Sequence, residues 1–314
     1  MLSKKKVPNL NIAILGANGI GRVHARIFHS LGIDIKVITC SSDKSASQAA
    51  KFLLDSYGIR TKAFSNINEA ISEPIDAVSI CTPSHLHYEN ILAAFDKKLP
   101  VFCEKPLFWE PICDYDKGIR KLNKLKNHSN RNLFLNTSNS LLIKYIMSEL
   151  FYENNISYFL FKFYTKGNNI NFDIAVDLLP HGMAIIQSVF GEHELSKFLY
   201  DSDKNRFRCK FQYNGCDVEF DFKEYPECEK LFVLQINDRI FKRVQSGTGK
   251  EYKVYINDEQ NNRVVRVPDP FEVYISEFIR SCNSQSSKIN DDFNSAYFNQ
   301  KTILKCLKKK ISNF

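Results

Sequence analysis

Residues 11–21 read NIAILGANGIG, and this stretch decides the fold of the first half of the chain. Asn11 to Leu15 is a short apolar run of the length expected for a buried strand, and it ends in glycines. Ile20 to Leu31 follows with apolar residues at helical spacing. The order strand, glycine turn, helix predicts that a parallel sheet with crossover helices begins here.

The alternation of strand and helix patterns continues to about residue 125. A second apolar run, Ile35 to Thr39, is followed by a helical pattern from Asp43 to Tyr57 with Gly58 as its stop. The later segments are a strand at Ala77–Cys81, a helix at His85–Lys97, a strand at Val101–Cys103 and a helix at Ile112–Leu125. This rhythm predicts a doubly wound parallel sheet of the Rossmann type over residues 1–128.

The pattern changes after about residue 150. Residues 156–164 and 206–267 hold strand-type segments, with one helical pattern between them at Leu179–Phe190. Asn214-Gly215 predicts a hairpin, because Asn-Gly supplies the positive φ of a type I′ turn, and Asn237-Asp238 is a weaker second signal.

These segments predict a C-terminal α+β domain over residues 129–314. Its sheet is expected to be large, mostly antiparallel and open, because hairpin signals join strand patterns that lack crossover helices. Helical patterns at Phe271–Cys282 and Ala296–Lys309 would close the domain.

Composition excludes several classes of protein. The chain has 314 residues, 44% of them hydrophobic, but no apolar run long enough for a membrane span. Its nine cysteines include no Cys-x-x-Cys pair, so we expect neither a disulfide framework nor a metal site. The net charge of +8 is spread over a lysine-rich surface without a nucleic-acid motif. We expect a soluble cytoplasmic protein.

The glycine turn has the context of a dinucleotide-binding loop, since it follows a strand and opens a helix. Gly16 permits the tight turn, and Gly21 lets the helix lie close to the strand. Asn18 stands where the fingerprint has its middle glycine, with Gly19 next to it, and asparagine tolerates left-handed geometry. A pyrophosphate would sit on free backbone N–H groups at the helix N-terminus, and the residues expected to contact the cofactor here are Gly16, Asn18, Gly19, Ile20 and Gly21. A plain glycine turn is the alternative.

The end of the second strand carries hydroxyls and a lysine. Ser41, Ser42 and Lys44 suit a ribose 2′-phosphate, whereas a carboxylate there would hold the 2′-hydroxyl of NAD. We therefore favour NADP(H), with NAD(H) as the other possibility. Asp43 is either that acidic residue in a shifted register or the N-cap of the following helix.

Two further motifs follow strands of the predicted parallel sheet. Thr82-Pro83-Ser84-His85-Leu86-His87 lies on the carboxyl edge, where Thr82, Pro83 and His87 could contact the nicotinamide half. His85 and His87 as surface residues, and Ser84 as a helix cap, are equally open. Glu104-Lys105-Pro106 ends the next strand, and a cis Pro106 would direct Lys105 toward a ligand.

A carboxylate and an imidazole lie four residues apart in the second half. Asp177 and His181 would share one helix face, and Pro180 predicts that residues 177–180 form the first turn of that helix. The pKa range of histidine suits proton exchange near neutral pH. A structural histidine near a helix start is the alternative.

Taken together, these motifs resemble the Gfo/Idh/MocA oxidoreductase family. The resemblance lies in residues 16–24, 82–87, 104–106 and 177–181. It implies hydride transfer between NAD(P) and a sugar-like, possibly nucleotide-sugar, substrate, with Lys105 polarising the oxygen and His181 as acid or base. It further implies that Asp177 binds substrate or orients the site, that Glu104 and Lys105 contact the cofactor, and that the C-terminal sheet forms a homodimer or homotetramer.

Two other classes of function remain open. Some relatives bind dinucleotide as regulators or scaffolds without turnover. A short-chain dehydrogenase is suggested by Tyr158 and Lys162, which that chemistry needs on one helical face. Alternating aromatic residues over 157–164 favour a strand there instead.

Overall fold

The computed structural model describes residues 10–110, 115–128, 132–153, 155–247, 251–282 and 288–308. The chain forms two compact units. The first unit comprises residues 1–136 and 274–300, and the second comprises residues 137–273 and 301–314. The first unit therefore takes a segment from near the C-terminus in addition to the N-terminal stretch.

A six-stranded parallel sheet forms the first unit, in the order β3-β2-β1-β4-β5-β6. Its strands are β1 (Asn11–Leu15), β2 (Asp34–Thr39), β3 (Lys62–Phe64), β4 (Ala77–Ile80), β5 (Val101–Cys103) and β6 (Leu133–Leu135). The strand order reverses between β1 and β4, and ligands of such sheets bind at the carboxyl ends of the strands at this switch point. The predicted doubly wound fold is confirmed. Strand β6 lies beyond the residues assigned to this domain from sequence.

Helices connect the strands of the first unit. They are α1 (Ile20–Ser30), α2 (Asp43–Tyr57), α3 (Ile67–Ala70), α4 (Ser84–Asp96) and α5 (Tyr115–Lys126). Helix α2 has the predicted bounds and ends at Gly58 with a φ of 72°. Its N-cap is Ser42, whose side chain accepts a hydrogen bond from the backbone N–H of Ser45, so the alternative of Asp43 as the cap is wrong. The N-cap of α4 is Pro83, which makes no side-chain cap, so Ser84 does not cap that helix.

An aromatic cluster ties helix α8 (Pro270–Cys282) to the parallel sheet. The ring of Phe278 lies 5.4 Å from that of Phe102 on β5 and 5.5 Å from that of Phe134 on β6. Tyr274 and Phe28 of α1 contact the same rings. One face of the sheet is therefore covered by a helix from the far end of the chain.

An eight-stranded sheet forms the second unit, in the order β14-β13-β12-β11-β7-β10-β9-β8. Its strands are β7 (Tyr158–Thr165), β8 (Leu195–Asp203), β9 (Arg206–Tyr213), β10 (Cys216–Glu224), β11 (Leu231–Ile236), β12 (Arg239–Ser246), β13 (Lys253–Asp258) and β14 (Arg263–Val267). Among the described strands of this sheet, β7 and β10 pair in parallel and the other neighbours pair antiparallel. The predicted mostly antiparallel sheet is confirmed.

Both hairpins expected from the sequence are present. Asn214 and Gly215 have φ angles of 50° and 79° between β9 and β10, and Asn237 has a φ of 51° between β11 and β12. Residues 158–165 form a strand, so Tyr158 and Lys162 do not share a helical face. The short-chain dehydrogenase hypothesis is therefore wrong.

The remaining helices are α6 (Ser140–Glu149), α7 (Asp173–Phe190) and α9 (Lys288–Lys308). Helix α7 begins four residues before Asp177, so the expectation that residues 177–180 form its first turn is wrong, and Pro180 lies inside the helix. Helix α7 packs closely on β10, because a Cβ added at Gly182 would meet the ring of Phe220 at 2.5 Å. No helix of the described ranges has both the length and the apolar character needed to cross a membrane.

Candidate functional site

The glycine loop of the first unit is fixed by close backbone packing. A Cβ added at Gly16 would lie 2.8 Å from the backbone of Cys81 and Thr82, and one added at Gly21 would lie 2.1 Å from the carbonyl oxygen of Gly16. Glycine is therefore required at both positions, as the sequence predicted. Gly19 has a φ of 51° and open space where a Cβ would be.

The same loop has the donors and the space that a pyrophosphate needs. The backbone N–H groups of Asn18 and Gly19 make no hydrogen bond within the described part of the chain. The Asn18 side chain donates to Ser45 Oγ at 3.0 Å and accepts from Arg22 Nη2 at 3.1 Å. The loop precedes the N-terminus of α1, which favours an anion. These residues fit a dinucleotide.

The residues expected at the ribose follow β2. Ser41, Ser42 and Lys44 are exposed at the start of α2. Ser42 Oγ accepts from the Ser45 N–H at 3.3 Å, which still leaves the hydroxyl hydrogen to donate. The geometry is compatible with a 2′-phosphate and with a 2′-hydroxyl.

His87 connects two turns on the carboxyl edge of the sheet. Its side chain is 1% exposed, with Nδ1 2.9 Å from the carbonyl oxygen of Pro106 and Nε2 2.7 Å from that of Thr82. Burial lowers the pKa of His87. The alternative of a surface residue is therefore wrong for His87. Its ring lies between the Thr82 and Pro106 turns, and a neutral imidazole donates its one N–H to one of these two carbonyl oxygens.

Glu104 is at the centre of a buried polar network. Its Oε1 lies 2.8 Å from Nε2 of His24 and accepts a hydrogen bond from Nδ2 of Asn136 at 2.6 Å. The other ring nitrogen of His24 lies 2.8 Å from Ser79 Oγ and 3.3 Å from Cys81 Sγ. His24 is 0% exposed and Glu104 is 9% exposed. The network joins α1, β4, β5 and the end of β6.

The electrostatics of this network favour an ion pair. Burial opposes protonation of His24, but its contacts with Cys81 and Glu104 outweigh burial and raise the pKa of His24 to about 10. Burial likewise opposes ionisation of Glu104, but the hydrogen bond and charge of His24 lower the pKa of Glu104 to about 2. Both groups are therefore charged at neutral pH.

Lys105 follows this anchored carboxylate directly. Its side chain is partly exposed, and the peptide bond between Lys105 and Pro106 is cis, as the sequence suggested. The backbone of Gly16 packs against the backbone of Thr82, and the side chain of His87 lies between Thr82 and Pro106. These contacts bring the glycine loop, the Thr82 turn and the Lys105-Pro106 turn to one edge of the sheet.

The second unit places Asp177 and His181 on one face of α7. Both side chains are partly exposed. Nδ1 of His181 lies 3.3 Å from Nδ2 of Asn139, and its ring meets that of Phe163 edge-on at 5.5 Å. Asn139 precedes α6 and also accepts a hydrogen bond from Arg243 Nη1 at 3.0 Å. Asn139 and Arg243 therefore accompany His181.

The N-terminal part of the chain matches a known protein family. Residues 10–131 match the model of the oxidoreductase family with an NAD-binding Rossmann fold, GFO_IDH_MocA. Residues 10–131 belong to the Gfo/Idh/MocA family. The resemblance read from the motifs is thus confirmed for the part of the chain that carries the glycine loop and Lys105.

Curated relatives of this Gfo/Idh/MocA segment are dehydrogenases. A myo-inositol 2-dehydrogenase of Thermotoga maritima is 30% identical over 116 residues, which cover 37% of this chain and 33% of that protein. A D-glucoside 3-dehydrogenase of Escherichia coli is 32% identical over 122 residues, with 37% and 33% covered. The chain therefore spans about a third of the length of these relatives.

Solved structures share the fold over nearly the whole chain. UDP-N-acetylglucosamine 3-dehydrogenase of Acidithiobacillus ferrooxidans has a TM-score of 0.71 at 15% identity, with 97% of this chain and 98% of that chain covered. Levoglucosan dehydrogenase, solved with NADH and levoglucosan, has a TM-score of 0.67 at 16% identity, with 96% and 98% covered. At this identity the likeness establishes the fold alone.

Sequence reasoning missed three of the polar residues described above. His24 belongs to the glycine motif, yet its partner Glu104 is 80 residues away, so no local pattern indicated the pair. Asn139 and Arg243 are 104 residues apart and meet only in the folded second unit. Among the described residues, no cluster of three or more His, Cys, Asp or Glu side chains could hold a metal ion.

Proposed function

We propose that the chain is an NAD(P)(H)-dependent oxidoreductase acting on a sugar-like alcohol or carbonyl. One observation carries the proposal: the glycine loop, the Thr82 turn and Lys105 meet at the carboxyl edge of a Gfo/Idh/MocA-family sheet. That edge is where open parallel sheets bind dinucleotides. The dehydrogenase activities of the curated relatives support the reaction type.

The first unit supplies the cofactor site in this proposal. The set that holds the dinucleotide is Gly16, Asn18, Gly19, Ile20, Gly21, Ser41, Ser42, Lys44, Thr82, Pro83, His87, Glu104 and Lys105. Among these, Glu104 and His87 act through the turns that they anchor, since their polar atoms contact the protein itself. Exposed Ser41, Ser42 and Lys44 favour NADP(H), with NAD(H) as the alternative.

When bound, the dinucleotide supplies the nicotinamide carbon that gives or takes the hydride. Lys105 donates a hydrogen bond from its ammonium to the substrate oxygen and stabilises negative charge that develops there. His181 exchanges the proton of the same oxygen as acid or base. Asp177, on the same face of α7 as His181, binds a substrate hydroxyl or orients the imidazole.

The same comparisons support the proposed substrate class. Inositol, glucoside and nucleotide-sugar dehydrogenases stand among the similar proteins, so a polyol or sugar is the proposed substrate and a nucleotide sugar is one form of it. We further propose that the eight-stranded sheet mediates a homodimer or homotetramer. A catalytically silent dinucleotide-binding regulator of the same fold is the alternative function.

Replacing Lys105 tests the proposal. Lys105→Met should leave the Kd for NADPH and NADH nearly unchanged while lowering turnover about 100-fold or more, because a donor to the developing charge is lost. Turnover is measured with inositols, glucosides and nucleotide sugars as substrates. Lys97→Met, which removes an exposed lysine after α4, is the matched control.

Two results would contradict the proposal in different ways. Full turnover in Lys105→Met would remove Lys105 from the chemistry. Tight cofactor binding by the wild type without turnover of any substrate in the panel would favour the silent regulator.

A further inference from the structure

Arg243 lies in a polar and aromatic group beside His181, and the proposed reaction gives Arg243 itself no role. It extends from β12 on the sheet of the second unit, with its guanidinium carbon 4.5 Å from the ring centre of Phe232 on β11 and 5.8 Å from that of Phe163 on β7. The ring of Phe163 also contacts His181. Arg243 and His181 thus flank one row of phenylalanines.

The charge of Arg243 is not balanced by a contacting carboxylate. Two other arginines of this sheet are paired, Arg239 with Asp258 at 2.6 Å and Arg206 with Asp221 at 2.7 Å. Across the described residues, Arg243 forms no ion pair within 4.0 Å. Burial lowers the pKa of Arg243 to about 10 against the weaker attraction of Tyr252 and Asp269, so the side chain stays protonated at neutral pH.

Most of the hydrogen-bonding capacity of Arg243 is open. A guanidinium has five N–H groups, and Nη1 donates to Asn139 Oδ1 at 3.0 Å. The Nε and Nη2 atoms are not among the buried polar atoms that lack a partner, a group that does include Nε of Arg22 and of Arg239. These donors are therefore not completely buried, and they lie in the planar arrangement that matches a carboxylate or phosphate.

Asn139 links this guanidinium to the imidazole of His181. Because arginine only donates, the amide oxygen of Asn139 must face Arg243, and the Nδ2 atom is then the one 3.3 Å from Nδ1 of His181. A group bound by Arg243 would accordingly lie one asparagine side chain away from the imidazole.

We propose that Arg243 binds an anionic oxygen group, a carboxylate or a phosphate, carried by the sugar close to the carbon that reacts. This inference rests on the proposed role of His181, since it uses His181 to place the reacting carbon. A charged ligand fits better than a neutral hydroxyl, because a partly buried cation without a carboxylate gains most from an anion. Arg243 would then set the substrate class as acidic sugars or sugar phosphates.

Binding measurements on the full chain test this inference. With NADPH saturating, so that the pyrophosphate site is filled, calorimetric Kd values are compared for glucuronate, glucose 6-phosphate, glucose 1-phosphate and neutral glucose. The charged probes should bind at least about tenfold more tightly than glucose, a difference of about 1.4 kcal/mol. Glucuronate and the phosphates distinguish the two sources of the anion.

Variants of Arg243 assign the preference to this side chain. Arg243→Met should remove the preference for charged probes, and Arg243→Lys should retain part of it, since lysine keeps the charge without the planar donor pair. Lys242→Met removes the same charge from the neighbouring residue, which pairs with Glu259, and should leave the preference unchanged. Circular dichroism confirms that each variant is folded.

The possible results separate this inference from the proposed function. Equal Kd values for charged and neutral probes, or a preference that persists in Arg243→Met, would overturn the role of Arg243. Charged-probe preference without turnover of any substrate would support Arg243 and contradict the oxidoreductase. Turnover of neutral sugars without a preference for charged probes would support the oxidoreductase and contradict the role of Arg243.

Discussion

The two units differ in how a buried charged side chain is paired. In the first unit, Glu104 accepts two hydrogen bonds through one oxygen and faces a histidine that is itself fully buried. In the second unit, Arg243 has aromatic rings and one amide around it, and no carboxylate of the described chain pairs with it. Glu104 is satisfied by the protein, whereas Arg243 retains donors that only a ligand or water can use.

This difference suggests different roles for the two charges: one fixes the backbone of the protein, and the other binds a ligand. A buried ion pair with its hydrogen bonds complete fixes the backbone that carries it, and here that backbone continues into Lys105. Burial of an unpaired guanidinium costs desolvation free energy, and a bound anion would offset this cost. We infer that the ion pair of Glu104 and His24 fixes the geometry of the Lys105 turn. We infer that Arg243 binds an anionic group of the substrate.

Removing the carboxylate of the first unit should have the largest effect. Glu104→Ala leaves His24 buried without its partner, so we expect the free energy of unfolding to fall by about 3–5 kcal/mol. Urea unfolding followed by fluorescence of Trp109, the single tryptophan of the chain, reports this change within the first unit. Glu73→Ala breaks the ion pair with the more exposed Lys62 and should cost about 1 kcal/mol or less.

A small loss of stability in Glu104→Ala would contradict the proposed difference between the two units. If its free energy of unfolding stays within about 1 kcal/mol of wild type, the His24 pair does not support the first unit. Glu104→Gln, which keeps an acceptor for His24 and Asn136, should fall between wild type and the alanine variant.

The pH dependence of stability should show the same ion pair. The pKa of His24 is raised from 6.5 to about 10, so its stabilising contribution is complete below 6.5 and is lost as the pH rises toward 10. The pKa of Glu104 is lowered from 4.5 to about 2, so its contribution is complete above 4.5 and is lost as the pH falls toward 2. The pair therefore stabilises most between pH 4.5 and 6.5.

Urea midpoints across this range provide the measurement. Between about pH 6.5 and 9 the wild type should lose more stability than His24→Gln, which has no group to titrate at that position. Parallel slopes for the two proteins would show that His24 is not protonated in the folded state.

Replacing the cation of the second unit should have the smallest effect on stability. Arg243→Met loses one hydrogen bond and two ring contacts but also removes the desolvation of an unpaired charge, so we expect a net change within about 1 kcal/mol of zero. Thermal unfolding followed by circular dichroism measures it. A loss above about 2 kcal/mol would make Arg243 a structural residue and would weaken its assignment to a ligand.

Local chemistry explains which parts of the fold were predictable from sequence. The bounds of α2 follow from apolar spacing and from Gly58, and the Asn214-Gly215 hairpin follows from its positive φ angles. The start of α7 was misjudged because Pro180 reads as a first-turn residue, yet the helix begins at Asp173 and contains it. Packing of α7 against β10, with Gly182 on Phe220, is a tertiary contact that no local pattern shows.

The residues of the candidate site also fall into those that local sequence indicates and those that only the fold reveals. Gly16, Gly21 and the cis Pro106 were indicated by residues next to them in sequence. The contacts of Glu104 with His24 and of Asn139 with Arg243 join residues far apart, so only the folded chain reveals them.

The return of α8 to the first unit bears on how the protein is synthesised. Phe102 and Phe134 are covered by Tyr274 and Phe278, which the ribosome makes after the entire sheet of the second unit. The apolar face of the parallel sheet in the first unit therefore stays exposed until α8 has been synthesised, and exposed apolar surface of this kind makes a folding intermediate prone to aggregation. A fragment that stops at residue 136 would retain that vulnerability permanently.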